Sequence, residues 1–369
     1  MLISKLEVYH LRLPLLHHFE ISSGRLTHID SILVRLWGEG EQGWGEAPPW
    51  NTPIYGHETA ETAFHMVRDI FAPEVVGKRF DTPESINAVL GQFRGNGFAK
   101  AALETAWWVL DARLKGKPLH ETLGGDSGKI IGCGNSLGIE DTPEQLLDAV
   151  QASLDKGFQR IKIKVKHGWD LKILDKVRGR FPRIALQVDA NSAYSLEDID
   201  TLRHFDDYGL VQIEQPLAYD DLIDHATLQA ELKTPICLDE SIKSAEDARK
   251  AAQIKACKII NIKISRVGGL YEAIRIHDVC AANAIPCWVG GMLESAVGES
   301  ICIEFASLPN IKLPSDIMPS CRFYQPDITE PENVMSRQGT YQLSQQPGIG
   351  HNPVWERVES YTVKRWESS

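Results

Sequence analysis

The rhythm of apolar and polar positions changes near residue 125. Before it, residues 5–13 alternate roughly with period two and residues 32–37 form a β-rich run, so both predict strands. A Gly- and Pro-rich stretch over 38–53 predicts turns and loops. Stretches 57–72, 83–94 and 100–115 carry helical spacing, the last marked by Ala101, Ala102, Leu103, Ala106, Trp107, Leu110 and Leu114. Strands followed by helices make an α+β unit, closed by Gly124-Gly125. From about 129, short β-like runs alternate with helical ones: 129–133, 160–165, 184–188, 210–213, 235–238, 258–262, 285–289 and 311–313. Eight such units specify a (β/α)8 TIM barrel more readily than an open sheet. The expected division is an α+β capping domain over 1–125, the α/β barrel over 126–320, and a loop-rich segment over 321–369 running back over the first domain.

Five charged residues, Lys164, Asp189, Glu214, Asp239 and Lys263, follow one another at intervals of 25, 25, 25 and 24. Each stands at or just past the carboxyl end of a predicted strand. Equal spacing places them at one height, at the C-terminal mouth where barrel enzymes build their sites. Three carboxylates in one mouth repel one another unless a divalent cation sits between them. All-oxygen donors suit Mg²⁺ or Mn²⁺, whereas Zn²⁺ prefers His or Cys. The competing reading, that each acid merely caps the next helix, applies to any one position but poorly to three in register with two lysines.

The run Arg160-Ile161-Lys162-Ile163-Lys164-Val165-Lys166 alternates with period two. Helices cover the outside of a closed barrel, so the aliphatics face outward while Lys162 and Lys164 face the mouth. Like-charge neighbours and desolvation disfavour the ammonium form, which would make Lys164 a usable base, with Lys162 deeper. Lys263 approaches from the opposite side. A base on each side of a metal-bound carboxylate suits proton abstraction alpha to that carboxylate, giving an enediolate.

Composition narrows the class further. Hydrophobic residues at 43% and charged residues at 24% are ordinary globular usage, which excludes disorder. A net charge of −11 argues against nucleic acid or an anionic membrane as partner, although a local cationic cluster remains able to hold a small anionic carboxylate. The chain lacks an apolar run long enough for a membrane span, and its start lacks a signal-peptide core, so a cytoplasmic location is expected. Seven cysteines without a CxxC pair read as buried, reduced thiols rather than a zinc site, a disulfide framework or a nucleophile.

These residues resemble the enolase superfamily and, within it, the muconate-cycloisomerase subgroup, which pairs a KxK motif after the second barrel strand with a lysine on the sixth. Gln187-Val188-Asp189-Ala190-Asn191, Ile213-Glu214-Gln215-Pro216, Leu238-Asp239-Glu240-Ser241, Gly290-Gly291-Met292-Leu293-Glu294-Ser295 and Gly43-Trp44-Gly45-Glu46 narrow it to a likeness with the o-succinylbenzoate synthase / N-succinylamino acid racemase family. The resemblance implies Asp189, Glu214 and Asp239 as Mg²⁺ ligands, Lys164 as base, and Lys263 as second base or as the cation facing the intermediate. It implies Lys162, Asn191 and Glu240 as auxiliaries. It also implies two flexible closing loops, Phe19 to Leu26 and Asn51 to Tyr55, and substrate contacts from Ser22, Gly24, Arg25, Ile54, Ser136, Gly291, Met292 and Leu293. The implied reactions are dehydration of 2-succinyl-6-hydroxy-2,4-cyclohexadiene-1-carboxylate, a step toward menaquinone, and racemisation of N-succinylamino acids.

Some positions depart from the family pattern. Ala296 stands where a glycine is usual, Glu299 where an arginine is, Ile264-Ser265 where Pro-Gly is common, and His17-His18 beside the first loop is unusual. Muconate cycloisomerase and dipeptide epimerase remain enzymatic alternatives, though Pro314-Ser315-Asp316 lacks the epimerase acid pair. A metal-binding scaffold barrel is the alternative from another class, since fold alone does not fix function. Barrels of this family often associate, which leaves a homo-oligomer open.

Overall fold

The computed structural model describes residues 1–21 and 24–368. Strands β1 (Lys5–Ile21) and β2 (Gly24–Gly38) form a long antiparallel hairpin, and β3 (Glu41–Ala47) pairs with β2. Helices Ala60–His65 and Gly97–Leu114 pack on this sheet, and Pro83–Leu90, whose start is fixed by a capping box between Thr82 and Ser85, packs on Gly97–Leu114. Helix Gly97–Leu114 is buried on nearly every side, as its run of alanines and tryptophans permits. β3 lies against it so closely that a Cβ on Gly45 would stand 2.3 Å from Ala102 O, and one on Gly43 2.2 Å from Ala106 O. The two glycines of Gly43-Trp44-Gly45-Glu46 are therefore demanded by this approach.

After β4 (Ile131–Gly132), strands β5 (Gly134–Leu137), β6 (Arg160–Lys164), β7 (Leu186–Asp189), β8 (Gln212–Glu214), β9 (Ile236–Leu238), β10 (Ile259–Ile262) and β11 (Cys287–Val289) follow, and β5 to β11 form one parallel sheet in sequence order. Residues 311–315 close it into a barrel. Ile311 bridges Cys287, Ser315 bridges Cys133, and Gly134 N donates to Ser315 O at 2.8 Å. The first barrel strand lies at 134–137 rather than at 129–133. Ile131 supplied the apolar signal, but it pairs antiparallel with the C-terminal segment, while Gly-Asn-Ser-Leu carries no β pattern of its own.

Beyond the barrel come β12 (Thr329–Glu330), β13 (Thr340–Tyr341), β14 (Asn352–Pro353) and β15 (Thr362–Glu367). β13 pairs with β4, and β15 returns to the free side of β1, with Glu7 opposite Glu367. Among the described residues no helix is long and apolar enough to cross a membrane. The seven cysteines are unpaired, and all but Cys321 are buried.

Candidate active site

Parallel pairing sets Lys164 opposite Asp189 and Asp189 opposite Glu214. From there the register climbs. Glu214 lies opposite Cys237, so Asp239 stands two residues higher, and Ile260 lies opposite Leu238, which puts Lys263 two residues higher again. The climb averages one residue per strand, the stagger of a tilted eight-stranded barrel of shear about 8. Equal sequence spacing thus keeps all five side chains level with the mouth although they do not share one rung.

Within the mouth, Lys162 Nζ lies 2.9 Å from Glu214, 3.3 Å from Asp189 and 2.6 Å from Asp316, and Lys164 Nζ lies 2.6 Å from Asp189. Lys263 Nζ is 2.9 Å from Asp239 on the opposite side, and Arg266 Nη1 grips the other oxygen of Asp239. All these groups are buried. Burial opposes the charge on Lys162 and Lys263, yet the facing carboxylates outweigh it and hold both pKa values above the ordinary lysine range. The like-charge neighbourhood expected around the KxK pair is therefore replaced by an opposite-charge one. The fold brings Asp189, Glu214 and Asp316 to within 3.3 Å of Lys162, and Asp189 also to Lys164.

Glu214 accepts from Gln187 Nε2 at 2.5 Å and Asn261 Nδ2 at 2.8 Å as well as from Lys162. Burial, followed by the field of Asp189, still pushes its carboxyl up. Glu240 is likewise pushed up by burial and by Asp239, and Asn191 donates to it at 2.9 Å. Among the described residues no three acidic, His or Cys side chains stand in an ion-gripping arrangement, because each carboxylate is turned to a cation. The donor chemistry nonetheless fits a hard divalent cation. Asp189, Glu214 and Asp239 are buried oxygen donors on adjacent strands, each in the field of the other two or of its neighbour, with no soft ligand among them.

The roof comes from the capping unit. Phe19, Ile21, Trp50 and Tyr55 close over Ser136, Asn191, Gly291, Met292, Leu293 and Met318, leaving about 40 Å³ beside Lys162, Lys164 and Lys263. That is room for about one water, so substrate entry requires the roof to move. Residues 19–21 and 24–26 are paired strands rather than loop: Phe19 pairs with Leu26, Glu20 with Arg25 and Ile21 with Gly24, after a bulge that carries His17 and His18. Ser22 lies outside the described residues. Arg25 is turned away from the cavity, to Glu20 at 2.6 Å and Asp141 at 2.9 Å. Gly24 and Ile54 are not among the residues lining the cavity and lie against each other, where a Cβ on Gly24 would stand 3.1 Å from Ile54 Cδ1. The remaining candidates, Ser136, Gly291, Met292 and Leu293, line the cavity.

Asp316, Trp50, Met318 and Arg266 escaped the sequence reading as site members, and Tyr55 entered it only as the end of a closing loop. The Tyr55 hydroxyl donates to Asp239 at 3.2 Å, accepts from Lys263 and Arg266 at 3.0 Å each, and its ring centroid lies 4.5 Å from Lys263 Nζ. Arg266 also donates to Ile242 O and Asn261 O, which locks its guanidinium behind Asp239. Tyr55 reaches the barrel from a loop some 200 residues away in sequence, so spacing carries no trace of it; the apolar setting of Arg266 in Ile264-Ser265-Arg266-Val267 was the available signal.

Around helix Ala296–Phe305, one residue of the pattern, Glu46, and one departure from it, Glu299, both serve the framework. Glu46 accepts from Ser295 N and Oγ, Gly298 N and Ser31 Oγ, so the capping sheet caps helix Ala296–Phe305. Glu299 points away from the active cavity and accepts from Tyr341 Oη at 2.6 Å, Ser320 N at 3.0 Å and Asn333 Nδ2 at 3.2 Å, tying down the C-terminal segment.

Residues 5–124 match the family described as mandelate racemase / muconate lactonizing enzyme, N-terminal domain, and residues 145–357 match the enolase C-terminal domain-like family. The chain is 45% identical over 354 residues to an o-succinylbenzoate synthase of Geobacillus kaustophilus, covering 96% of this chain and 94% of that one. It is 43% identical over 361 residues to an N-succinylamino acid racemase of Thermus thermophilus, covering 97% of each. The crystal structure of an enolase superfamily member from Listeria innocua superposes with a TM-score of 0.95 at 36% identity, over 100% of this chain and 99% of that one.

Proposed function

The chain belongs to the mandelate racemase / muconate lactonizing enzyme family of the enolase superfamily, and on that premise we propose that it abstracts the proton alpha to a substrate carboxylate as an o-succinylbenzoate synthase, an N-succinylamino acid racemase, or both. The observation that carries the reading is the placement of Lys164 and Lys263 on opposite sides of one cluster of carboxylates, beneath a roof supplied by the capping unit. Asp189, Glu214 and Asp239 would hold Mg²⁺ or Mn²⁺, which would neutralise them, loosen their grip on the lysines and supply positive charge to the substrate carboxylate.

The work of the chain's own residues follows from the geometry. Lys164, released from Asp189, takes the alpha proton from its side of the substrate. Lys162, anchored by Asp316 and Glu214, keeps a positive charge in the floor of the mouth. In the synthase reaction Lys164 returns its proton to the departing hydroxyl, and water leaves. In the racemase reaction Lys263 delivers a proton to the opposite side. Tyr55 and Arg266 hold Lys263 and Asp239 at fixed positions for that exchange. Trp50, whose indole donates to Met292 O at 3.3 Å, ties the roof to the wall that meets the distal part of the substrate.

The test is solvent deuterium exchange at the alpha carbon of N-succinyl amino acids in the presence of Mg²⁺, with synthase turnover followed alongside. Exchange is expected in the wild type and absent from the Lys164→Ala, Lys263→Ala double variant. Exchange that persists in the double variant refutes the assignment.

A further inference from the structure

A cavity of about 1100 Å³ lies outside the barrel, between β5, helix Pro143–Asp155, the bulge of β1 and residues 319–337. It is distinct from the active cavity. Ser136 of β5 faces the active cavity, whereas its neighbours Asn135 and Leu137 line this outer one, as the alternation of a strand requires. The volume is at the upper end of small-molecule sites, which run to about 1000 Å³.

The walls are mixed: Phe19, Leu137, Ile139, Phe158, Phe323 and Met335 supply apolar surface, and the acids Glu20, Glu140, Asp155 and Glu332 and the bases Lys156 and Arg337 also line the cavity. The floor is polar and ordered. Arg322 donates from Nη1 to Asn135 Oδ1 and, at 2.7 Å, to Met318 Sδ, and from Nη2 to Ser136 O at 3.4 Å; Asn135 Nδ2 donates to Ser153 Oγ at 2.7 Å. Each of those acceptors is neutral. Asp316, the nearest strong field on Arg322, is already held at 2.6 Å by both Arg160 and Lys162, and Glu140 acts on it only through space. Burial lowers the Arg322 pKa to about 10, so the group remains charged at neutral pH. A half-buried guanidinium whose direct acceptors are all neutral can receive an anion, because a carboxylate offers it charge-assisted hydrogen bonds that those acceptors do not.

We propose that this cavity binds a small organic carboxylate with an aromatic or branched apolar body, its carboxylate received by Arg322 and Asn135. Phe19 lines both this cavity and the active one, so the occupant touches the roof of the catalytic site from outside.

The probe is 4-phenylbutyrate, titrated calorimetrically. Saturable binding is expected in the wild type and in the Lys164→Ala, Lys263→Ala double variant. Binding at least tenfold weaker is expected in Arg322→Gln and in Ala152→Trp, which fills the cavity from an exposed helix position and leaves the floor intact. The neutral 4-phenylbutyramide is expected to bind at least tenfold more weakly than the acid. No saturable binding to the wild type, binding lost with the two lysines, binding undiminished in Ala152→Trp, or equal binding of acid and amide would each overturn the proposal.

Discussion

Replacing Glu299 by Gln tests whether this acid, which departs from its family's pattern, is a framework group held at an electrostatic cost. Its carboxyl is 3% exposed, and burial raises its pKa from 4.5 to about 7. Between those values the folded state binds more protons at this position than the unfolded state, so stability falls as pH rises through the window and levels off above 7. The difference of about 2.5 pH units corresponds to about 3 kcal/mol, at about 1.4 kcal/mol per unit. Gln keeps an acceptor for Ser320 N and Asn333 Nδ2, and its amide can donate to Tyr341 Oη, so the variant loses the charge and little of the bonding. The stability difference, variant minus wild type, is expected to grow by about 3 kcal/mol between pH 4.5 and 8, while other buried acids cancel in the subtraction. For 369 residues the unfolding entropy is about 0.8 kcal/mol/K, so the shift appears as about 4 °C in Tm. Thermal unfolding by circular dichroism across that pH range measures it. A pH-independent difference, or a variant that loses ground as pH rises, would refute the reasoning.

The remaining predictions concern the site and its support. Asp239→Asn is expected to weaken Mg²⁺ binding by at least tenfold in calorimetry and abolish turnover with the circular dichroism spectrum unchanged; wild-type metal affinity would contradict the ligand assignment. Tyr55→Phe removes the hydroxyl shared by Asp239, Lys263 and Arg266, and is expected to lower alpha-deuterium exchange by about tenfold, the effect of about 1.4 kcal/mol, with the fold intact. Undiminished exchange would remove Tyr55 from the account. Gly45→Ala forces a methyl to within 2.3 Å of Ala102 O, and is expected to cost about 3 kcal/mol, read as a lowered Tm. A stable Gly45→Ala protein would show that β3 can retreat from the helix.

Legibility in the sequence followed how local each cause was. The rhythm of βα units is a local signal repeated along the chain, so seven barrel strands and the five charged residues at their ends were placed directly. The first barrel strand was displaced by a few residues because Gly134, Asn135 and Ser136 carry polar or absent side chains, and β4 beside it answers to a partner at Thr340 and Tyr341. The closing segment at Phe19 to Leu26 was expected as a loop from the family resemblance, whereas the pairing of Phe19 with Leu26 depends on the facing strand. Arg25 looked like an anion contact until Glu20 and Asp141 appeared as its partners.

By itself the sequence determined which strands follow which, which faces of them are apolar, and which acids and lysines stand at the carboxyl ends, because those properties depend on residues a few positions apart. Tertiary structure alone decided which charges meet. It set Lys162 against Asp316 across the seam of the barrel, brought Tyr55 from the capping unit onto Lys263, and left Arg322 half-buried among neutral acceptors. Those contacts join residues as many as 208 positions apart, and the energy of a buried charge depends on its nearest partners in space.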